Sequence, residues 1–396
     1  MKDVLVLGAG PAGISISLLL AKLGYEVEIL DPAFFPRPKI CGEFVNPQAV
    51  EWLTEQELLP DFLELSPFPV YGMKIHDLQG KSFTGHYSPK GTARGFAIER
   101  KQFDTLLVAE ARKAGIHICE GYLAKKLKFE SGKVTGVEGL DSKGKGFERQ
   151  ARVLIGADGR NNLIGRTFGW MQGDRKLRKY AFMQYFENLE DLSHFGEVHL
   201  VRDGYIGIAP LNETTANVAL VIDESAYPSG VSFESFLRQR ISESPLQKRM
   251  SAAHPVSHIL SAGPLAFRMK QTSGHGTLLV GDTCGFVDPF TGEGINYAFL
   301  SASMAAPVLA EALSQNKFDD ATLAQYDEAR QKVFDRKFRM ARILQKAIQW
   351  PAASKYLIRK FADSMELADT VVSAVGSTVP VERVWSLRFL WKLVTS

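Results

Sequence analysis

Two short apolar runs, Val4-Leu5-Val6-Leu7 and Val27-Glu28-Ile29-Leu30, flank a stretch in which Ile14, Leu18 and Ala21 recur at helical spacing. Short runs bounded by glycine read as buried strands, and the spaced stretch reads as an amphipathic helix from Pro11 to Leu23. Gly24 suits the left-handed position that ends it. The chain therefore opens with a β-α-β unit. Asn46 as N-cap and Pro47 in the first turn predict a second helix. From Ser66 to Ile98 the pattern changes to short alternating runs such as Gly72-Met73-Lys74-Ile75-His76, which predicts an inserted sheet. Helical spacing returns over Arg100 to Ala114, with Phe103, Leu106, Leu107 and Ala111 inward and Gly115 ending it. Strands follow from Ile116 to Ile155, and a second alternating stretch runs from Tyr180 to Ile222. A polar helical stretch leads to Gly276-Thr277-Leu278-Leu279-Val280, a buried-type strand. From Gly294 onward the pattern is helical, with breaks near Pro351 and from Gly376 to Pro380.

Composition narrows the class. At 396 residues and 45% hydrophobic content the chain has room for two or three domains and a sizeable core. Its 47 basic and 44 acidic residues leave no global field to attract nucleic acid. Cys41, Cys119 and Cys284 are widely spaced and odd in number, against both a disulfide framework and a zinc or other metal site. Reduced thiols point to a cytoplasmic setting. No signal peptide is expected, since Met1-Lys2-Asp3 leads straight into a strand. No uninterrupted apolar stretch has the length of a transmembrane helix.

Three motifs carry the chemistry. The first is Gly8-Ala9-Gly10-Pro11-Ala12-Gly13, between strand and helix. Gly8 permits a tight turn, Gly10 admits a pyrophosphate to the backbone, and Gly13 lets helix and strand pack closely. Asp31, 18 residues past Gly13, stands where an acid grips an adenosine ribose. Together they predict a dinucleotide at a helix N-terminus, where free N–H groups and the helix dipole favour anions. The second motif, Gly156-Ala157-Asp158-Gly159, ends a buried strand; alone it reads equally as an ordinary strand-exit turn. The third runs from Val280-Gly281-Asp282 through Pro289 to Gly292-Glu293-Gly294-Ile295-Asn296. Its acid can accept hydrogen bonds from a polyol, and its glycine loop opens a long helix.

In that order the three motifs resemble the FAD-dependent aromatic-hydroxylase superfamily, the class A flavoprotein monooxygenases, close to the geranylgeranyl reductase and flavin-dependent halogenase branches. The resemblance spans roughly residues 1 to 315. It implies an α/β fold: a Rossmann-like FAD-binding domain of the glutathione-reductase type, an inserted antiparallel-sheet substrate domain and a C-terminal helical region. The expected limits are 1–65, 96–170 and 271–315 for the FAD domain, 66–95 and 171–270 for the substrate domain, and 316–396 for the helices. The resemblance also implies FAD contacts from Gly8, Gly10, Ala12, Gly13, Asp31, Cys41, Gly42, Arg100, the backbone of Ala124, Asp158, Asp282, Gly292, Gly294, Ile295 and Asn296. NADPH or NADH is the implied electron donor. Asn162 stands where the Asp-Gly motif more usually has Ser.

The loop Pro36-Arg37-Pro38-Lys39-Ile40-Cys41-Gly42-Glu43 resembles that of the reductase branch. Cys41 is the one catalytic candidate, as a thiol near the flavin; the plainer reading is a small residue packed under the loop. Gly204 to Pro210 lacks the tryptophans of the halogenase signature and equally the tryptophan of the reductase branch's version, which leaves specificity open. The first reading is an NAD(P)H-dependent monooxygenase that hydroxylates or epoxidises a hydrophobic, conjugated small molecule. The alternative is an FAD-dependent reductase of isoprenoid or lipid double bonds; a halogenase and a non-catalytic binding module rank below. The eight histidines are scattered and read as structural. The tail from Gln349 mixes Trp350, Tyr356, Trp385 and Trp391 with Lys and Arg, which fits either peripheral contact with a membrane or a helical lid on the core.

Overall fold

The computed structural model describes residues 1–88, 92–173, 178–286 and 288–395. Residues 89–91 and 174–177 of the expected sheet domain, and Val287 within the third motif, lie outside the described residues, as do the side chains of Ile348 and Gln349.

The strand-helix-strand start forms as its pattern predicts: Lys2–Leu7, Pro11–Lys22 and Val27–Asp31, with Gly24 left-handed at φ 87°. These strands belong to a parallel sheet in the order Thr277–Leu279, Gly146–Gly156, Lys2–Leu7, Val27–Asp31, His117–Glu120. Leu7 lies opposite both Gly156 and Leu30, and Gly156 lies opposite Leu279. This register brings the carboxyl ends of four strands to one edge, so motifs far apart in sequence become neighbours there. An antiparallel meander, Leu123–Glu130 and Lys133–Leu140, extends from the long strand Gly146–Gly156.

Helices Pro11–Lys22 and Arg100–Lys113 pack on this sheet, and Gly294–Ser314 packs on Pro11–Lys22, around a core that includes Val6, Ile14, Leu20, Phe103 and Phe299. Gly294–Ser314 is the one helix among the described residues long and apolar enough to cross a membrane. Half of its most apolar window is buried, and its packing on Pro11–Lys22 accounts for that apolarity.

The second large sheet runs His254–Pro255, Lys179–Glu187, Ala216–Asp223, Gly204–Pro210, Gly196–Val201, Gly72–His76, Ser82–His86. All its neighbours are antiparallel except the parallel pair Gly196–Val201 with Gly72–His76. Side-chain alternation divides its faces. Val218, Leu220 and Ile222 pack with Phe236 and Leu237 of the helix Phe233–Ser242, whereas Asn217, Ala219 and Val221 face a cavity. That cavity lies between this sheet, the parallel sheet's carboxyl edge and the C-terminal helices.

The C-terminal helices are Asp320–Gln349, Pro351–Asp363, Met365–Val375 and Leu387–Thr395. The break at Pro351 is present. A second, at Ser364, was not marked by Gly or Pro; there the side chain of Ser364 caps the next helix through the Leu367 N–H.

Candidate functional site

A cavity of about 510 Å³ runs from the glycine turn to the second sheet. Its near end is shaped by backbone approach. Gly8 sits at φ 105°, and a Cβ there would lie 2.5 Å from the Ala157 carbonyl oxygen. A Cβ on Gly13 would lie 1.9 Å from the Gly8 oxygen, so only hydrogen fits. At Gly10 the position opens into the cavity, with nothing nearer than the Arg37 Nη2 at 3.8 Å. Gly8 and Gly13 thus close the turn, and Gly10 leaves the room a phosphate needs.

Buried Asp31 accepts from the Ala9 N–H at 2.7 Å and the Ala33 N–H at 2.8 Å, so the carboxylate fixes the turn it borders. Asp158 accepts from Leu163 N–H at 2.9 Å, and burial pushes its carboxyl up to about 6. Asn162 is left-handed at φ 41°, which Asn tolerates better than most residues. It caps Leu163–Thr167 and donates to the Thr283 carbonyl at 3.0 Å, while the Thr283 hydroxyl donates to the Gly156 carbonyl at 2.9 Å. Two motifs that sequence separates by more than a hundred residues are thereby stitched together.

Sequence reasoning named Arg100 but missed its company. Arg37, Lys39, Arg100 and Arg160 all line the cavity. Arg100 holds Asp104 through two hydrogen bonds of 2.7 and 2.9 Å, and Arg37 approaches the same carboxylate at 3.5 Å. Asp282 feels the charges of Lys39, Arg100 and Arg160, yet burial still raises its carboxyl above the ordinary range. Burial lowers the Lys39 ammonium, helped by Arg100 and Arg37. Arg37, Lys39, Arg100 and Arg160 offer donors where a pyrophosphate would lie, two of them also paired with Asp104, and Asp282 remains an acceptor for a polyol. The basic Pro36 to Lys39 loop was the available signal.

The glycine loop of the third motif meets the C-terminal helices. Buried Glu293 accepts from the Lys337 ammonium at 2.7 Å, the Ser377 hydroxyl at 2.8 Å and the Tyr297 hydroxyl at 2.6 Å. Asp288 accepts from Tyr205 at 2.7 Å, Gln345 at 2.8 Å and the Phe290 N–H at 2.8 Å, and pairs with Lys179 at 3.0 Å. The loop is anchored on both sides by side chains that no local pattern announces. Cys284 packs, donating to Leu279 oxygen.

Beside it lies the Cys41 loop. Cys41 lines the cavity within reach of the Arg100 guanidinium, and its carbonyl accepts from Asn217 Nδ2 at 2.8 Å. Glu43 is fully buried at φ 55°. Its Oε1 accepts from the Arg100 backbone N–H at 3.0 Å and from the Tyr185 hydroxyl, and Oε2 from Asn217 Nδ2 at 3.3 Å. Burial pushes the Glu43 carboxyl up to about 8 against these hydrogen bonds, so it is mainly neutral at pH 7. Burial likewise raises the Tyr185 phenol. In the sequence Glu43 is only the last residue of the Cys41 loop, with no local signal of its burial.

Of the expected contacts, Gly8, Gly10, Ala12, Asp31, Cys41, Gly42, Arg100, Asp158, Asp282, Gly292, Gly294 and Ile295 line the cavity. Gly13, Ala124 and Asn296 are not on that wall. Gly13 acts through packing, Ala124 lies in the meander, and Asn296 donates to Gln48 at 2.9 Å. Two histidines also come together: His76 stacks on His199 at 4.1 Å, and Glu197 accepts from His199 at 2.8 Å. Arg249 takes both Glu197 oxygens at 2.6 and 3.0 Å, which accounts for the cluster as an ion-paired staple.

The FAD binding domain family matches residues 1–341. Digeranylgeranylglycerophospholipid reductase 2 of Methanopyrus kandleri is 29% identical over 348 residues, 86% of this chain and 84% of its own. The geranylgeranyl bacteriochlorophyll reductase-like structure from Thermoplasma acidophilum superposes with a TM-score of 0.76 at 24% identity, covering 100% of this chain and 96% of its own. A flavin-dependent brominase gives 0.82 at 20% identity over 95% and 93%. The open Gly10 face, the basic side chains and the free acceptor of Asp282 fit the cofactor for which the matching family is named, and the chain belongs to the FAD binding domain family.

Proposed function

We propose that the protein is an FAD-dependent reductase that saturates carbon-carbon double bonds of an isoprenoid or similarly apolar lipid. This favours the alternative from the sequence over the monooxygenase. The observation that carries it is the polarity gradient of the cavity. Charged groups and backbone crowd its glycine end, whereas its far wall includes Val70, Met73, Val198, Ala219, Val221 and Leu265, the polar groups there, Asp288 and Glu197, being held in ion pairs. An apolar pocket continues past Met73, Val198 and Phe290 beneath the C-terminal helices. Such a wall suits a hydrocarbon tail. The relatedness to lipid reductases of similar length supports the same reading.

Reduction adds a hydride to one carbon of the double bond and a proton to its neighbour. Reduced FAD supplies the hydride. Gly8, Gly10, Ala12, Asp31, Arg100 and Asp282 would hold the cofactor, and the start of the helix at Gly294 would favour negative charge placed beside it. The proton belongs to this chain. Glu43 stores it as a neutral carboxyl, Tyr185 donates toward Glu43 from the half-buried side, and Cys41 presents the loop's thiol to the cavity. NADPH or NADH is the proposed source of the flavin's electrons.

The test is an anaerobic single turnover of dithionite-reduced holoenzyme with digeranylgeranylglycerol phospholipid, read by mass spectrometry. Gain of one H2 per reduced double bond is expected without oxygen. An oxygenated product formed only in air returns the protein to the monooxygenases. Stopped-flow mixing with NADPH and NADH identifies the donor.

A further inference from the structure

The helix Leu387–Thr395 is apolar on two faces. Phe389 and Leu393 turn inward onto the cluster that holds Val384 and Phe361. Leu387, Leu390, Trp391 and Val394, spaced i, i+3, i+4 and i+7, form a second stripe that faces solvent; Leu387 is 87% exposed, Trp391 68% and Val394 73%. A stripe at that spacing occupies one side of a helix. Inward packing already accounts for the other side, so the core does not explain this one.

We propose that this outer face docks on an anionic lipid bilayer, with the helix lying in the plane of the interface. Nine residues are too few to span a bilayer, but enough to seat Leu and Trp among lipid headgroups. Charge selects the occupant. Residues 316–396 carry fourteen Lys and Arg against nine Asp and Glu, whereas the rest of the chain is slightly acidic. Arg388 and Lys392 share one acid, Glu366, on the flank of the stripe. Arg383, and Lys355 and Arg359 of the helix Pro351–Asp363, are exposed in the same C-terminal region. Two copies of a basic face repel each other, and an anionic membrane attracts one.

The position also has a consequence for the cavity. Tyr356 of Pro351–Asp363 donates to the Leu393 carbonyl at 3.0 Å, which ties the two helices together. The inner side of Pro351–Asp363, at Leu357, Ile358 and Phe361, walls the apolar pocket that joins the main cavity through Met73, Val198 and Phe290. The bilayer-facing helix is thus one layer away from the pocket assigned to a hydrocarbon tail. Only this last link rests on the lipid-reductase reading.

Docking is measured on the FAD-loaded full chain without substrate, so its failure is distinct from failure of the reductase assay. Co-sedimentation uses vesicles of phosphatidylcholine with phosphatidylglycerol, and of phosphatidylcholine alone. Binding to the anionic vesicles, weakened by salt and accompanied by a blue shift of tryptophan emission, is expected. L387D/W391D changes two exposed positions and should weaken binding at least about tenfold, with circular dichroism and flavin content unchanged. R359E/R383E should weaken binding to the anionic vesicles alone. No binding, or equal binding of L387D/W391D, overturns the proposal. A dimer that L387D/W391D converts to monomer in sedimentation velocity assigns the face to a second copy and overturns it equally.

Discussion

The two ends of the cavity are built by different means. At the glycine end, the decisive contacts are backbone against backbone: Gly13 under the Gly8 carbonyl, Gly8 against Ala157. At the sheet end, the wall and its loops are held by side chains drawn from distant segments, such as Lys337 and Ser377 on Glu293, or Tyr205, Gln345 and Lys179 on Asp288. A backbone contact has one solution, glycine, and leaves a mark in the sequence. A side-chain anchor has many solutions and leaves none. The difference predicts that single changes at the glycine end abolish the site, whereas those at the other end grade its stability and rate.

The largest effect should come from Gly13→Val. Its Cβ alone would fall 1.9 Å from a backbone oxygen, and relief requires moving the helix or the turn. A cost above about 5 kcal/mol is expected, beyond the usual range of single substitutions. The protein should purify colourless and take up no FAD. Yellow protein with ordinary flavin content would break the comparison at its strongest point. Next is Lys337→Ala, which strands buried Glu293 without its cation. Loss of one partner of a buried pair costs about 3–5 kcal/mol, so thermal denaturation should show a large drop while FAD still binds the folded fraction. Lys337→Met with Glu293→Gln, which removes both charges, should recover much of that loss.

Glu43→Gln comes third and concerns rate. It keeps the shape at the seam of the Cys41 loop but removes the proton. Turnover should fall about a hundredfold, the lower end for a positioned acid, with FAD content unchanged. In the unaltered protein the rate should fall as pH rises through about 8, where the carboxyl ionises, and the variant should lack that limb. Stability follows the same proton. The folded carboxyl titrates near 8 and the unfolded one near 4.5, so the folded state binds more protons between them. The Glu43 contribution is therefore full below pH 4.5 and is lost as pH rises through about 8. Denaturant midpoints of the protein and the variant should therefore lie close together at the acid end and separate as pH rises, the unaltered protein falling below the variant; a constant offset would make Glu43 a packing residue.

What the sequence disclosed divides along the same line. Gly8, Gly10 and Asp31 could be read because a tight turn and a ribose-side acid have fixed spacings, and the parallel register then brought Asp158 and Asp282 beside them. Alternation in Ala216–Asp223 located the inserted sheet, since one face packs on a helix and the other on the cavity. Arg37, Lys39 and Arg160 escaped because a basic residue in a loop does not reveal its neighbours. Glu43 escaped for a related reason: what makes it neutral is burial by Tyr185, Asn217 and the helix start at Arg100, none of which is near it in sequence. Asn296 was read as a cofactor contact from its motif position; its Nδ2 donates to Gln48, while its Oδ1 is buried without a partner.

The smallest effect expected is also the sharpest on redundancy. Tyr205→Phe removes one hydrogen bond from Asp288 and leaves those from Gln345 and the Phe290 N–H, as well as the Lys179 ammonium at 3.0 Å. Phe keeps the ring's edge contact with Phe290 at 5.1 Å between centroids. A carboxylate with three remaining partners loses little when the fourth goes, so the change should cost only about 1 kcal/mol. The variant should bind FAD normally, and its melting temperature should fall by a few degrees or less. A collapse comparable to Lys337→Ala would show that Asp288 depends on Tyr205 as strictly as the glycine turn depends on Gly13. The sheet end would then be a second site of single solutions, with no motif to announce it.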